Sequence, residues 1–101
     1  MIVDIITQTP GDFEKPSTQY KTKKYRTVWF LDDYKLAQFF EVNNRLIKNW
    51  KEGEMRTFKA GQVYTSLNCS LQTRSFIVAY HDKKEITKTQ IKKAISKKMK
   101  L

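Results

Sequence analysis

"LAQFFEVNNRLIKNWKEG" runs from Leu36 to Gly53. Leu36, Ala37, Phe40, Ile47 and Trp50 have the spacing of one apolar helical stripe. Asn43 and Asn44 interrupt it. Asparagine is a poor helix-interior residue and a good cap or left-handed residue. Two helices joined by a tight turn fit better. Helix one is expected over Asp33–Glu41, with Leu36, Ala37 and Phe40 inward. The turn lies around Glu41 and Val42, with Val42 plugging the crevice. Asn43 caps helix two, which runs from Asn44 to about Glu52 with Ile47 and Trp50 inward. Ala37 is small enough for the helices to cross closely, and Gly53 ends the second.

Outward from this stretch, Ile2–Ile6 is a short β-rich run. Thr9–Thr22 holds both prolines and one of three glycines, and reads as a loop or arm. Tyr25–Leu31, "YRTVWFL", is β-branched and aromatic, hence a strand candidate. Asp32 and Asp33 are placed to cap the first helix. Met55–Phe58 and Val63–Leu67 flank "KAGQ", whose Gly61 suits a hairpin tip. Ser75–Tyr80, "SFIVAY", is the most apolar strand and is expected to be central. Glu85–Met99 reads as a helix with Ile86, Ile91, Ala94, Ile95 and Met99 on a narrow stripe and lysine elsewhere. No internal repeat is evident. The expected organisation is an N-terminal strand and arm over residues 1–24 and a single domain over 25–101.

Charge is the strongest global feature. The net charge is +10 on 101 residues. Residues 83–101 hold eight lysines against Glu85, a net of +7, whereas residues 1–22 carry two lysines against three acids. Such a chain attracts polyanions, because each neutralised phosphate releases counterions. The single Cys69 excludes an internal disulfide and a cysteine-rich zinc site, and fits a reducing compartment. No apolar run approaches the roughly 20 residues of a membrane span, and no secretory signal opens the chain. The expected compartment is the cytoplasm. His81 stands alone beside Asp82, and a structural or exposed role outweighs a catalytic one. Neither a metal site, a glycine-rich phosphate loop nor a cofactor motif is read, and the chain is expected not to be an enzyme.

The opening stretch resembles the L-A-x-x-L-G-V-S-x-x-x-I-x-x-W-x-x-G pattern of bacterial and phage DNA-binding proteins. With "EMRTFKAGQVY" after it, it is similar to the winged helix-turn-helix group of excisionases, MerR-type regulators and phage terminase small subunits. The likeness covers about Phe30–Ser66 and departs at Glu41, where the pattern has glycine. It implies an α/β (α+β) domain: a helix-turn-helix, a β-hairpin wing, a further strand and a basic C-terminal helix. The implied function is duplex DNA binding in regulation, recombination or packaging of a phage or mobile element. In that geometry Asn43, Asn44, Arg45, Lys48 and Asn49 face the major groove. Lys51, Lys59 and Gln62 reach phosphates, and Lys88, Lys92, Lys93 and Lys97 add contacts from the last helix.

Two alternatives share the string. An αβββα order resembles a double-stranded RNA-binding domain, whose final lysine helix grips phosphates. Alternatively, the chain is a small inhibitor or recruiter that docks a protein partner of the host. Oligomeric state is open.

Overall fold

The computed structural model describes residues 1–17, 23–59, 62 and 64–99. Eight strands and one helix follow in order: β1 (Ile2–Gln8), β2 (Phe13–Ser17), β3 (Tyr25–Phe30), β4 (Gln38–Val42), β5 (Arg45–Ile47), β6 (Met55–Lys59), β7 (Tyr64–Asn68), β8 (Arg74–His81) and α1 (Lys88–Met99). They form two antiparallel four-stranded sheets. Sheet A has the order β1-β8-β3-β6, and sheet B the order β2-β7-β4-β5.

The deciding stretch is a hairpin, not a helix pair. Gln38, Phe40 and Val42 are buried while Phe39 and Glu41 are exposed, a period of two. Asn43 and Asn44 have φ of 51° and 67°, and they lie between the paired residues Val42 and Arg45. Two consecutive positive-φ residues make the turn that matches strand twist, and asparagine tolerates this conformation best after glycine. The turn residues that suggested a helix cap therefore reverse a strand. Leu36, expected inward, is 85 % exposed, whereas Gln38 is 2 % exposed. Ala37 does not let two helices cross. It has φ 68° in a turn closed by Gln38 N–H to the Lys35 carbonyl at 3.2 Å. Val42 and Trp50 are buried as expected, but from a strand and a loop.

The wing is corrected too. β6 pairs with β3 in sheet A, while β7 pairs with β2 and β4 in sheet B. These two strands therefore do not form one hairpin. Gly61, its expected tip, lies outside the described residues, as do Val63 and the side chain of Met99. Within the stretch read as an arm, Phe13–Ser17 is a strand on β7, and 18–22 lie outside the described residues. Asp32 and Asp33 cap loops instead of a helix. Asp32 accepts the Ser75 N–H at 2.9 Å and Asp33 the Glu52 N–H at 2.7 Å. The αβββα alternative fails for the same reason: the strands make two sheets, and α1 is the one helix among the described residues.

Other expectations hold. β8 is central, flanked by β1 and β3. α1 begins three residues later than its apolar stripe suggested, because Thr87 and Gln90 form a reciprocal cap. Thr87 Oγ1 accepts the Gln90 N–H at 3.2 Å, and Gln90 Oε1 accepts the Thr87 N–H at 2.8 Å.

The inner faces of the sheets enclose Val28, Phe30, Phe40, Val42, Trp50, Tyr64, Phe76, Val78 and Tyr80. Trp50 stacks on Phe30 at 4.4 Å, and Phe40 meets Phe30 and Phe76 edge-on, each at 5.8 Å. These are the offset and edge-to-face geometries that aromatic quadrupoles prefer. A second core lies on the outer face of sheet A, where Ile86 and Ile91 cover Val3, Ile77 and Ala79. The layers are sheet B, sheet A and α1.

Candidate functional site

The barrel interior is the first place to look for a ligand site, and its own side chains occupy it. Phe40, Val28, Tyr64, Phe76, Val78 and Tyr80 are each at most 1 % exposed. At one end Gln8 and Arg74 of sheet A and Ser66 and Asn68 of sheet B tie the two sheets together. Arg74 Nε donates to Gln8 Oε1 and Gln8 Nε2 to Ser66 Oγ, both at 2.8 Å. Asn68 Nδ2 donates to the Gln8 and Gln72 carbonyls. Buried polar groups satisfied in this way hold a unique arrangement. Toward the other end the Arg26 guanidinium lies 3.7 Å from the centre of the Tyr64 ring, and the Tyr64 and Tyr80 hydroxyls are 3.4 Å apart. Burial, then the hydrogen bond to Tyr64, pushes the Tyr80 phenol well above its usual range. A phenol so held stays neutral.

His81 is also structural in its contacts. It is buried, its Nδ1–H donates to the Lys83 carbonyl at 2.6 Å, and Nε2 lies 2.7 Å from Thr27 Oγ1. Thr27 therefore donates to the ring and accepts from Thr57 at 2.8 Å. Burial lowers the His81 pKa, outweighing the pull of the Lys83 carbonyl and Asp82 in the other direction. Both ring nitrogens are engaged. Cys69 is exposed. Among the described residues no group of three His, Cys, Asp or Glu side chains could hold a metal ion.

Outside the barrel the surface is more distinctive. A groove of about 610 Å³ runs between β1 and α1, lined by Met1, Ile2, Val3, Gln90, Lys93, Ala94 and Lys97. A second depression of about 260 Å³ shares Met1 and Gln90 with it and continues past Ile86 to Lys83 and Lys23. The floor is apolar and the rim is basic. The acid on this track, Asp82, is engaged by Lys23 at 3.7 Å. β1 lies at one side of sheet A, paired with β8. Two causes build the groove: α1 must cover Ile77 and Ala79, and its apolar stripe is too narrow to cover β1 completely.

The residues expected to contact nucleic acid do not form one surface element. Asn43 and Asn44 occupy the β4–β5 turn, and Arg45 opens β5. Lys48, Asn49 (φ 61°) and Lys51 lie in the segment after it. Lys59 ends β6 in the other sheet, and Gln62 is half-buried. Lys88, Lys92, Lys93 and Lys97 lie on α1, where Lys88 Nζ sits 5.5 Å from the Trp29 ring centre. Of the whole set, Lys93 and Lys97 line the groove. Sequence reasoning missed Met1–Val3, Lys23 and Lys83, because the groove joins chain ends whose proximity no local pattern encodes.

Two antiparallel four-stranded sheets closed on a filled interior, with a helix on one outer face, define a small β-barrel protein. Comparison with solved structures places it among cupin-like barrels. The plu4264 protein from Photorhabdus luminescens is similar with a TM-score of 0.61 and 9 % identity, over 94 % of this chain and 69 % of that one. TT1209 from Thermus thermophilus is similar at 0.59 and 14 % identity, over 78 % and 70 %. A Cupin 2 conserved barrel domain protein from Salinispora arenicola is similar at 0.59 and 7 % identity, over 94 % and 70 %. At such identity the likeness establishes the fold alone. No protein-family model matches the sequence, and no curated protein does. The barrel overturns the winged helix-turn-helix resemblance and the functions drawn from it, since residues 38–47 pair as a β-hairpin where the resemblance needs two helices. No helix among the described residues is long and apolar enough to cross a membrane.

Proposed function

We propose that this chain is a binding module and not a catalyst, and that it takes an acidic, extended segment of a partner protein in the groove between β1 and α1. The observation that carries the reading is the lysine-rimmed apolar track between β1 and α1. Apolar side chains of such a segment would reach the floor at Val3 and Ala94, and its acids would meet Lys93 and Lys97. Ile5, 56 % exposed on the same strand, would be covered as well. The filled interior and the fully engaged His81 support a role without catalysis.

The test is fluorescence anisotropy with a labelled peptide of alternating glutamate and valine. Micromolar binding is expected, with Lys93→Glu/Lys97→Glu weakening it tenfold or more. Equal affinity for the double variant, or tighter binding of a duplex DNA competitor, would overturn the reading.

A further inference from the structure

We infer that binding in the groove between β1 and α1 is proton-coupled through His81, so that an acidic segment is held more tightly as pH falls. The inference rests on the groove reading and adds its regulation. His81 stands in the wall of the depression that continues the groove past Met1 and Gln90 to Lys23 and Lys83. An acid of the bound segment that reaches this end meets the two lysines. A protonated imidazole is a third cation there, and a carboxylate nearby favours the charged form of a histidine.

A chain of hydroxyls behind the ring lets it take a proton inside the fold. The Lys83 carbonyl can only accept, so Nδ1 carries a hydrogen in both charge states. In the neutral ring Nε2 accepts from Thr27 Oγ1 at 2.7 Å, and Thr27 accepts from Thr57 Oγ1 at 2.8 Å. On protonation Nε2 becomes a donor. Thr27 then accepts from the ring and turns its own hydrogen to Thr57, which is exposed and donates to water. Hydroxyl hydrogens rotate, so every contact survives with its direction reversed. Without that outlet the buried Thr27 would be left with an unsatisfied donor, which is costly.

The rest of the surroundings are close to balanced. The N-terminal amine opposes a charge on the ring and Asp82 favours it. Lys23, 3.7 Å from Asp82, already engages that carboxylate. β3 presents Tyr25, whose ring stacks on the imidazole at 6.0 Å. On β6, Lys59 lies opposite Tyr25 and is exposed. α1 and the segment before it present Gln90 and Ile86, which carry no charge. Burial favours the neutral ring in the free protein, so an incoming carboxylate has a proton uptake to drive.

Fluorescence anisotropy with the glutamate–valine peptide at about pH 5 and about pH 7 reads the coupling. That window lies above the glutamate value near 4.3 and below the N-terminal amine near 7.7. Affinity is expected to be at least about fivefold higher at the lower pH, the small end of coupling between linked sites. By reciprocity, saturating peptide should raise the titration midpoint of the chain's single histidine, read from its imidazole NMR signal. His81→Gln should bind like the parent at the higher pH and lose the rise. Thr57→Val, at an exposed position, should move the rise to lower pH by removing the acceptor of the reversed chain. Binding of equal strength at both pH values, or a rise kept by His81→Gln, would overturn this inference and leave the groove reading standing. No binding at either pH would overturn both.

Discussion

Substituting Asn44 by glycine and by alanine separates a hairpin turn from a helix start. Asn44 has φ 67° and stands second in a two-residue turn between Val42 and Arg45. An L-residue with a Cβ in the left-handed region costs about 1–2 kcal/mol, and asparagine offsets part of that through its own side-chain hydrogen bonds. Alanine carries the full cost. Glycine carries none, but its freer unfolded chain takes back about 0.5–1 kcal/mol. The glycine variant should therefore exceed the alanine variant by about 1 kcal/mol. In a domain of this size that is about 5 °C in melting temperature. In a helix the order inverts, because glycine lies about 1 kcal/mol below alanine there. Thermal denaturation followed by circular dichroism measures the difference. An alanine variant more stable than the glycine variant would refute the hairpin.

Leu36→Lys should change stability by no more than about 0.5 kcal/mol, because the side chain is 85 % exposed; urea denaturation checks it, and the two-helix packing would demand a large loss. Phe40→Ala should cost about 3–5 kcal/mol, since Phe40 is fully buried against Phe30 and Phe76, as the same titration would show. His81 gives a pH signature. Its folded pKa is depressed, so below the unfolded value near 6.5 the unfolded chain binds more protons. Its contribution is complete above that pH and is lost as pH falls through the folded value. The groups bearing on it are Asp82, the N-terminal amine and the Lys83 carbonyl. His81→Gln should flatten the stability–pH curve in that window, and an unchanged slope would remove His81 as its source.

β1, β3, β8 and α1 are legible in the sequence because their patterns are local and unambiguous. "SFIVAY" is apolar on both faces and becomes the strand covered on both sides, by the barrel core and by α1. The hairpin over 38–47 is not legible, for two reasons. Leu36, Ala37, Phe40, Ile47 and Trp50 happen to match a helical stripe. The true inward set includes Gln38, whose amide is satisfied by the Lys35 N–H and by Ser70 Oγ. A polar residue buried with partners breaks the apolar alternation that reveals a strand. Asn43-Asn44 reads equally well as a cap and as a reversal, and only the partner strand decides. Lys93 and Lys97 stand out in the sequence as basic residues on the polar side of a helix. Their conjunction with Met1–Val3 depends on β1 pairing with β8, a contact between opposite ends of the chain.

The surface assigned to binding is the groove between β1 and α1, outside the barrel. Backbone amide NMR during titration with the glutamate–valine peptide tests it most directly. Saturable shifts are expected, confined to residues 2–8 of β1 and 90–97 of α1. Shifts centred on the barrel interior or on β4 and β5, or none at saturating peptide, would contradict it.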